Sequence, residues 1–155
     1  MIEKPVFLTE EGRAKLENEL EHLCTVRRPE IAQHIHQAKE EGDITENAGY
    51  DEAKNEQAFV EGRILTLKSM LKNAQIIKRH GPASEVCLGI KVTVAEPGEE
   101  PETYTIVGSA EADPSNGFIS NESPVGQALM RHKVGDEVAV STPGGSFSLK
   151  ITALE

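Results

Sequence analysis

From Tyr50 onward the chain places apolar residues at alternating steps of three and four: Tyr50, Ala53, Gln57, Val60, Ile64, Leu67, Leu71 and Ala74. Gln57 is the one polar member. This is an a/d seam sustained over more than three heptads, and it demands an α-helix. One helix cannot bury such a seam alone. A partner stands upstream, where Leu16, Leu20 and Leu23 form one stripe and Ile31, Ile35 and Ala38 another. Between the two segments runs Gly42-Asp43-Ile44-Thr45-Glu46-Asn47-Ala48-Gly49. The pattern predicts an antiparallel helical hairpin with its tip at this run. Each arm holds about 30 residues, so roughly 45 Å if straight. Pro29 falls between the upstream stripes. It lacks an N–H and its ring crowds the preceding turn, which predicts a kink or a break near Arg28. Thr9 suits the N-cap of the first arm, with Glu10 and Glu11 in its first turn.

The pattern changes at His80-Gly81-Pro82, where helical spacing stops and alternation of period two begins. Ile90, Val92 and Val94 alternate with Lys91 and Thr93. Tyr104 and Ile106 alternate with Thr103 and Thr105. Val138 and Val140 flank Ala139, and Phe147, Leu149 and Ile151 alternate with Ser148 and Lys150. These read as half-buried antiparallel strands. Pro97-Gly98 and Pro143-Gly144-Gly145 supply turns. Ser123-Pro124 opens a short helix, Ser as N-cap and Pro at the first helical position. The expected organisation is a hairpin over residues 1–80 and a small α+β domain over 81–155, with a four- or five-stranded antiparallel sheet.

Composition narrows the function classes. The 155 residues carry 26 Asp/Glu against 16 Lys/Arg, a net charge of −10. That argues against generic binding of free DNA or RNA, where phosphate contacts need clustered cations. The imbalance is uneven: 12 Lys/Arg face 15 Asp/Glu up to residue 80, and 4 face 11 beyond it. An acidic second domain suits a basic partner, although charge of this kind also serves solubility alone. A hydrophobic share of 37% fits a thin rod with little interior. There is no run apolar enough to span a bilayer and no signal-peptide pattern, so a cytoplasmic protein is expected. Cys24 and Cys87 are far apart and make neither a zinc cluster nor a disulfide framework.

Two carboxylates, Asp43 and Glu46, sit in the tip at a spacing of three. One explanation is a capping box, Asp43 accepting from first-turn N–H groups and Glu46 reaching back. The other is that both face outward and share a hard divalent cation. Mg²⁺ wants six oxygen ligands, so two carboxylates make an incomplete site that a partner must complete. Spacing leaves both open. Lys39 and Lys54 flank the tip on opposite arms, where a phosphate would lie if the tip met a phosphodiester. His34 and His36 do not share a helix face and read as a solvated pair. Arg27-Arg28 and Lys78-Arg79 read as surface charge. No nucleophile motif, phosphate-binding glycine loop or nucleotide fingerprint is present.

Val26-Arg27-Arg28-Pro29-Glu30-Ile31, then Glu41-Gly42-Asp43-Ile44-Thr45-Glu46-Asn47-Ala48-Gly49-Tyr50, then Glu61-Gly62-Arg63-Ile64, resemble the N-terminal coiled coil of the bacterial transcript cleavage factors of the GreA/GreB family. The resemblance continues through Ile106-Val107-Gly108, Glu111-Ala112-Asp113, Ser123 to Leu129, Val134 to Val138 and Thr142-Pro143-Gly144-Gly145, in order, with the GreA branch the nearer. It implies a two-helix coiled coil followed by an FKBP-like α+β domain. It also implies a monomeric factor that is not itself an enzyme and that acts on backtracked bacterial RNA polymerase. The C-terminal domain would dock on the rim of the secondary channel, and the coiled coil would reach the active site. Asp43 and Glu46 fall on the acids that hold a second Mg²⁺ jointly with the polymerase, which then cleaves the nascent RNA near its 3′ end. Lys39 and Lys54 fall near RNA-contacting positions, and Asn121, Ser123 and Pro124 in the docking segment.

Gly49 stands where many family members carry an acid, which predicts a looser start to the second arm. Thr45 replaces a common basic residue. Two other readings accompany the cleavage factor: a channel-binding inhibitor of the same shape that does not cleave, and a coiled-coil adaptor with a folding-helper domain. Against the last, Tyr104, Phe118 and Phe147 suggest no aromatic-lined pocket.

Overall fold

The computed structural model describes residues 3–42, 44–78 and 83–155. The heptad seam forms a helix, α3 (Ala48–Lys72), capped by Asn47. Ala53, Val60, Ile64 and Leu67 are buried, and Tyr50, Gln57 and Leu71 are half-buried. The last seam position, Ala74, leaves the helix for a strand. Despite Gly49, α3 is helical from Ala48, because the Asn47 side chain receives the Tyr50 N–H and holds the first turn.

The first arm is α1 (Glu10–His22), a π-helical turn at Leu23–Arg27, and α2 (Arg28–Glu41). The expected kink or break takes the form of that widened turn. Arg28 N–H donates to Leu23 O, five residues back, while His22, Arg27 and Arg28 keep right-handed helical dihedrals. Pro29 lies in the first turn of α2. A π turn inserts one residue into the helix. The stripe Leu16, Leu20, Leu23 would continue at positions 27, 30, 34 and 37 in a regular helix. The core-facing residues are instead Ile31, Ile35 and Ala38, each one residue later than 30, 34 and 37. The inserted residue keeps both stripes facing α3. Ile31 packs with Val60 and Ile64, with Leu20, Leu23, Cys24 and Ile35 around them. Pairings such as Ala38 with Asn47 and Arg28 with Glu61 run in opposite directions along the two helices, as an antiparallel hairpin requires.

The chain divides into two compact units, one of them Arg13–Asn73 and the other joining residues up to Gly12 with Ala74–Glu155. This differs from a boundary at residue 80, and His80-Gly81-Pro82 lies outside the described residues. Short strands β1 (Val6–Leu8) and β2 (Ala74–Ile76) pair in parallel, Val6 with Ala74 and Leu8 with Ile76. Ile77 N–H extends the pairing by donating to Leu8 O at 2.8 Å. Thr9 caps α1 as expected, its Oγ1 accepting from Gly12 N–H at 3.0 Å. A carboxylate distant in sequence joins the cap: Thr9 N–H and Oγ1–H donate to Glu111 Oε2 and Oε1 at 2.7 and 2.6 Å. Gly108 lets the chain pass here, since a Cβ would lie 2.3 Å from Phe7 O.

The larger sheet has the order β5-β4-β3-β7-β6, formed by β3 (Lys91–Ala95), β4 (Glu102–Val107), β5 (Phe118–Ser120), β6 (Glu137–Thr142) and β7 (Gly145–Leu154). Three of its pairings are antiparallel. The fourth, β4 with β5, is parallel, so the sheet is mixed rather than wholly antiparallel. Residues 108–117 make this possible: two 3₁₀ turns carry the chain back, and Gly117 at φ 80° directs it into β5. Ile90, Val92, Val94, Ile106, Val138, Val140, Leu149 and Ile151 point into one core, closed by Val86, Ile119 and Leu129.

A short helix, α4 (Pro124–Leu129), covers that core, capped by Ser123 Oγ accepting from Gly126 N–H at 3.1 Å. At Gly126 a Cβ would lie 2.0 Å from the backbone oxygen of Ser120, which cannot swing aside. Gly126→Ala should therefore destabilise by about 1–3 kcal/mol, as overpacked interiors do. Urea unfolding would check this, with a lower midpoint expected and an unchanged slope.

Candidate functional site

The described tip is built between two helix ends. The last carbonyls of α2 and the first N–H groups of α3 have no partners within their own helices. Asn47, half-buried, serves one of each: its Oδ1 accepts from Tyr50 N–H at 3.1 Å, and its Nδ2 donates to Ala38 O at 2.6 Å. Asp51 N–H donates to Asn47 O at 3.1 Å. A 3₁₀ turn, Ile44–Glu46, leads into this cap. At α3 itself the capping role falls to Asn47, and Glu46 precedes that N-cap instead of standing inside the first turn of α3. The Glu46 carboxylate is exposed. Asp43 lies outside the described residues.

Lys39 is exposed in the last turn of α2. Lys54 is exposed on α3, its Nζ donating to Gln57 Oε1 at 2.9 Å. His34 and His36 are both exposed, and His36 lies 3.2 Å from Glu40. Among the described residues no three His, Cys, Asp or Glu side chains converge into a metal-holding group.

Arg27 and Arg28, expected as surface charge, instead clamp the arms together. Arg28 makes a bidentate contact with Glu61, at 2.8 and 2.9 Å. Arg27 pairs with Glu30 at 2.7 Å and with Glu56 on the facing helix. Arg63 returns the contact, gripping Glu19 at 2.6 and 2.8 Å. The hydrogen bond from Arg63 holds the Glu19 carboxyl below its ordinary 4.5, and the same bond raises Arg63 above its usual value. Sequence spacing within one helix could not reveal the pairs of Arg27 with Glu56, Arg28 with Glu61 and Arg63 with Glu19, because each joins residues on facing arms.

In the other unit, Asn121 is half-buried, with its N–H donating to Val107 O at 3.0 Å, and Pro124 is exposed. Ser123 is bound twice, as the α4 cap and as a donor to Ser120 O at 2.7 Å. Next to Pro124, Val125 lines a cavity of about 100 Å³ with Val94, Tyr104, Phe147 and Leu149, rimmed by Glu96, Glu99, Glu100 and Glu102. The aromatic-lined pocket not expected from the sequence therefore exists, because the sheet brings Tyr104 and Phe147 to one place. It is small beside the roughly 300–1,000 Å³ of ordinary ligand sites. The Tyr104 hydroxyl donates to the Glu102 carboxylate, and that bond, with burial, pushes the phenol up to about 12.

Comparison with known proteins gives this geometry its context. The family model for the N-terminal part of transcription elongation factors matches residues 6–76, and the GreA/GreB C-terminal model matches residues 81–155. The chain is 55% identical over 152 residues to transcription elongation factor GreA of Thermoanaerobacter pseudethanolicus, covering 97% of each. To the Bacillus subtilis factor of the same name it is 51% identical over 156 residues, covering 99% of each. A solved structure of GreA factor homolog 1 (Gfh1) from Thermus thermophilus is 30% identical, with coverage of 98% of this chain and 99% of that one and a TM-score of 0.46. The chain belongs to the GreA/GreB family of transcription elongation factors. No helix among the described residues is long and apolar enough to cross a membrane.

The Glu19–Arg63 pair carries a pH dependence. A carboxyl whose folded pKa is depressed contributes stability that is complete above its unfolded value, about 4.5, and is lost as pH falls through the folded one. Both side chains are more than a third exposed, so the pair is worth at most about 1 kcal/mol. Glu19→Gln should lower the melting midpoint at neutral pH, and the gap from wild type should close in acid below pH 4.5. Melting curves across that range check it.

Proposed function

We propose that this chain stimulates RNA cleavage by a backtracked RNA polymerase in trans, its hairpin tip lending Asp43 and Glu46 to a Mg²⁺ held jointly with the polymerase active site. The observation that carries this reading is an exposed carboxylate, Glu46, on a turn held at the end of a clamped helical hairpin. With Asn47 as the α3 cap, Glu46 is not needed to start the helix, and its charge is available outward. A turn of this kind has no walls to hold a substrate, so the chemistry belongs to a site that a partner completes. Mg²⁺, when bound there, would acidify an attacking water and neutralise charge developing on the phosphodiester. This chain's part is to deliver carboxylate oxygens, with Lys39 and Lys54 beside the tip to meet RNA phosphates.

Docking falls to the segment Asn121, Ser123 and Pro124. Its setting supports this: Pro124 is exposed, and the adjacent cavity offers an apolar floor with four carboxylates at the rim, suited to an apolar anchor carried on a basic partner surface. Ser123 is a poor probe, because losing its cap would itself cost about 1 kcal/mol. Pro124→Ala is cleaner, since an N1 residue has no intrahelical N–H bond to lose. It should raise the factor concentration needed for half-maximal cleavage and leave the saturated rate near wild type. A titration of factor against stalled complexes measures both.

The deciding experiment is single-turnover cleavage in a backtracked complex at saturating factor. Asp43→Asn and Glu46→Gln remove charge at nearly constant shape. Each should slow cleavage by tenfold or more, since ~1.4 kcal/mol of lost transition-state stabilisation is a factor of ten. Half-saturation by factor should stay unchanged, and raised Mg²⁺ should restore part of the rate. Wild-type rates from both variants would sink the metal role, and RNA hydrolysis by the chain with Mg²⁺ and no polymerase would sink the in-trans reading.

A further inference from the structure

We infer that Asn47 is a positioning residue for the tip, a two-sided clasp that holds the Glu46 carboxylate at a fixed place relative to both arms. The inference rests on the reading that Glu46 delivers charge to a shared metal, and it adds a residue with no charge and no metal-binding role of its own. Its basis is the pair of bonds at one side chain: Nδ2 to Ala38 O at 2.6 Å and Oδ1 from Tyr50 N–H at 3.1 Å. The amide orientation is unambiguous, because a backbone N–H can only face the oxygen and a backbone carbonyl can only face the NH₂.

The residue type follows from this geometry. A helix start alone would accept Ser, Thr, Asp or Asn. Asp offers no donor for Ala38 O, and Ser is too short to span the two partners. An amide carries both functions on one planar group. The segment between Ala38 and Asn47 is thus closed at its feet by a side chain that joins the two arms next to the tip. Glu46 is one peptide unit from the clasp, on the 3₁₀ turn that leads into it. Ala38 is buried in the last turn of α2, where carbonyls lack a partner within the helix, so the clasp also serves one of them. Loss of that one bond leaves the α3 cap intact and frees the turn that carries Glu46.

Two substitutions separate clasp from cap. Asn47→Ser and Asn47→Asp both keep an acceptor for Tyr50 N–H and both lose the donor to Ala38 O. At saturating factor, each should reduce the single-turnover cleavage rate by on the order of ten- to a hundredfold, the scale of misplacing a reacting group by about an ångström. The factor concentration for half-maximal effect should not move, whereas the Mg²⁺ concentration for half-maximal rate should rise. Independently of polymerase, NMR of the full free chain should show a scalar coupling across the bond from Asn47 Nδ2 to the Ala38 carbonyl carbon, with slow exchange of that NH₂ proton. A wild-type cleavage rate for Asn47→Ser, in an assay where Glu46→Gln is impaired, would overturn the clasp and leave the metal reading standing. So would a freely exchanging NH₂ without the coupling, or a shift in factor half-saturation with no change in saturated rate. A wild-type rate for Glu46→Gln would remove the metal reading and the clasp's role with it.

Discussion

The hairpin depends on the burial of Ile31 against Val60 and Ile64, with Leu16, Leu67 and Ala53 sealed along the same seam. Most helical stability in proteins comes from packing of an amphipathic face and not from intrinsic propensity, so each arm relies on the other. Each fully buried aliphatic side chain contributes about 1.5–3 kcal/mol. A two-helix layer offers few such sites, which is why one misphased turn would matter. The π turn at Leu23–Arg27 answers that constraint. It places Pro29 in a first helical turn and shifts the next stripe toward α3, so the seam continues across a residue that would otherwise break it.

Electrostatics reinforce the seam where apolar contact is thin. Arg27, Arg28 and Arg63 are all engaged with glutamates, and the contacts of Arg28 and Arg63 are bidentate forks between the arms. Exposed pairs are individually weak, but planar forks also set geometry, and here they hold the two helices in one register. These arginines are thereby committed to the hairpin itself, and Lys39 and Lys54 remain the cations beside the tip.

The second unit is held by contacts of long sequence range. Strand β1 pairs with β2, and the Glu111 carboxylate completes the cap of a helix that begins 101 residues earlier at Glu10. Gly108 and Gly126 mark where backbone passes too close for any side chain. In the same unit Val125 lines, with Tyr104 and Phe147, an apolar cavity with an acidic rim.

The residues by themselves determined a good deal. Heptad spacing specified the helical hairpin and its seam, because i, i+3 and i+4 positions share a face whatever the surroundings. Period-two alternation specified strands β3, β4, β6 and β7, and Ser-Pro specified the start of α4, since these signals are local. The order of motifs pointed to the family and to Glu46 as a tip acid. Tertiary structure alone decided the rest. The parallel pairing of β4 with β5, the grouping of residues before Arg13 with the C-terminal unit, the arginine forks across the arms and the Glu111 cap all join groups far apart in sequence. So does the Asn47 clasp: Asn at a helix start is visible in the sequence, but its second bond depends on where the far arm's carbonyl comes to lie. Hydrogen bonds are directional and short-ranged, so partners of this kind become known only when packing has brought them within about 3 Å.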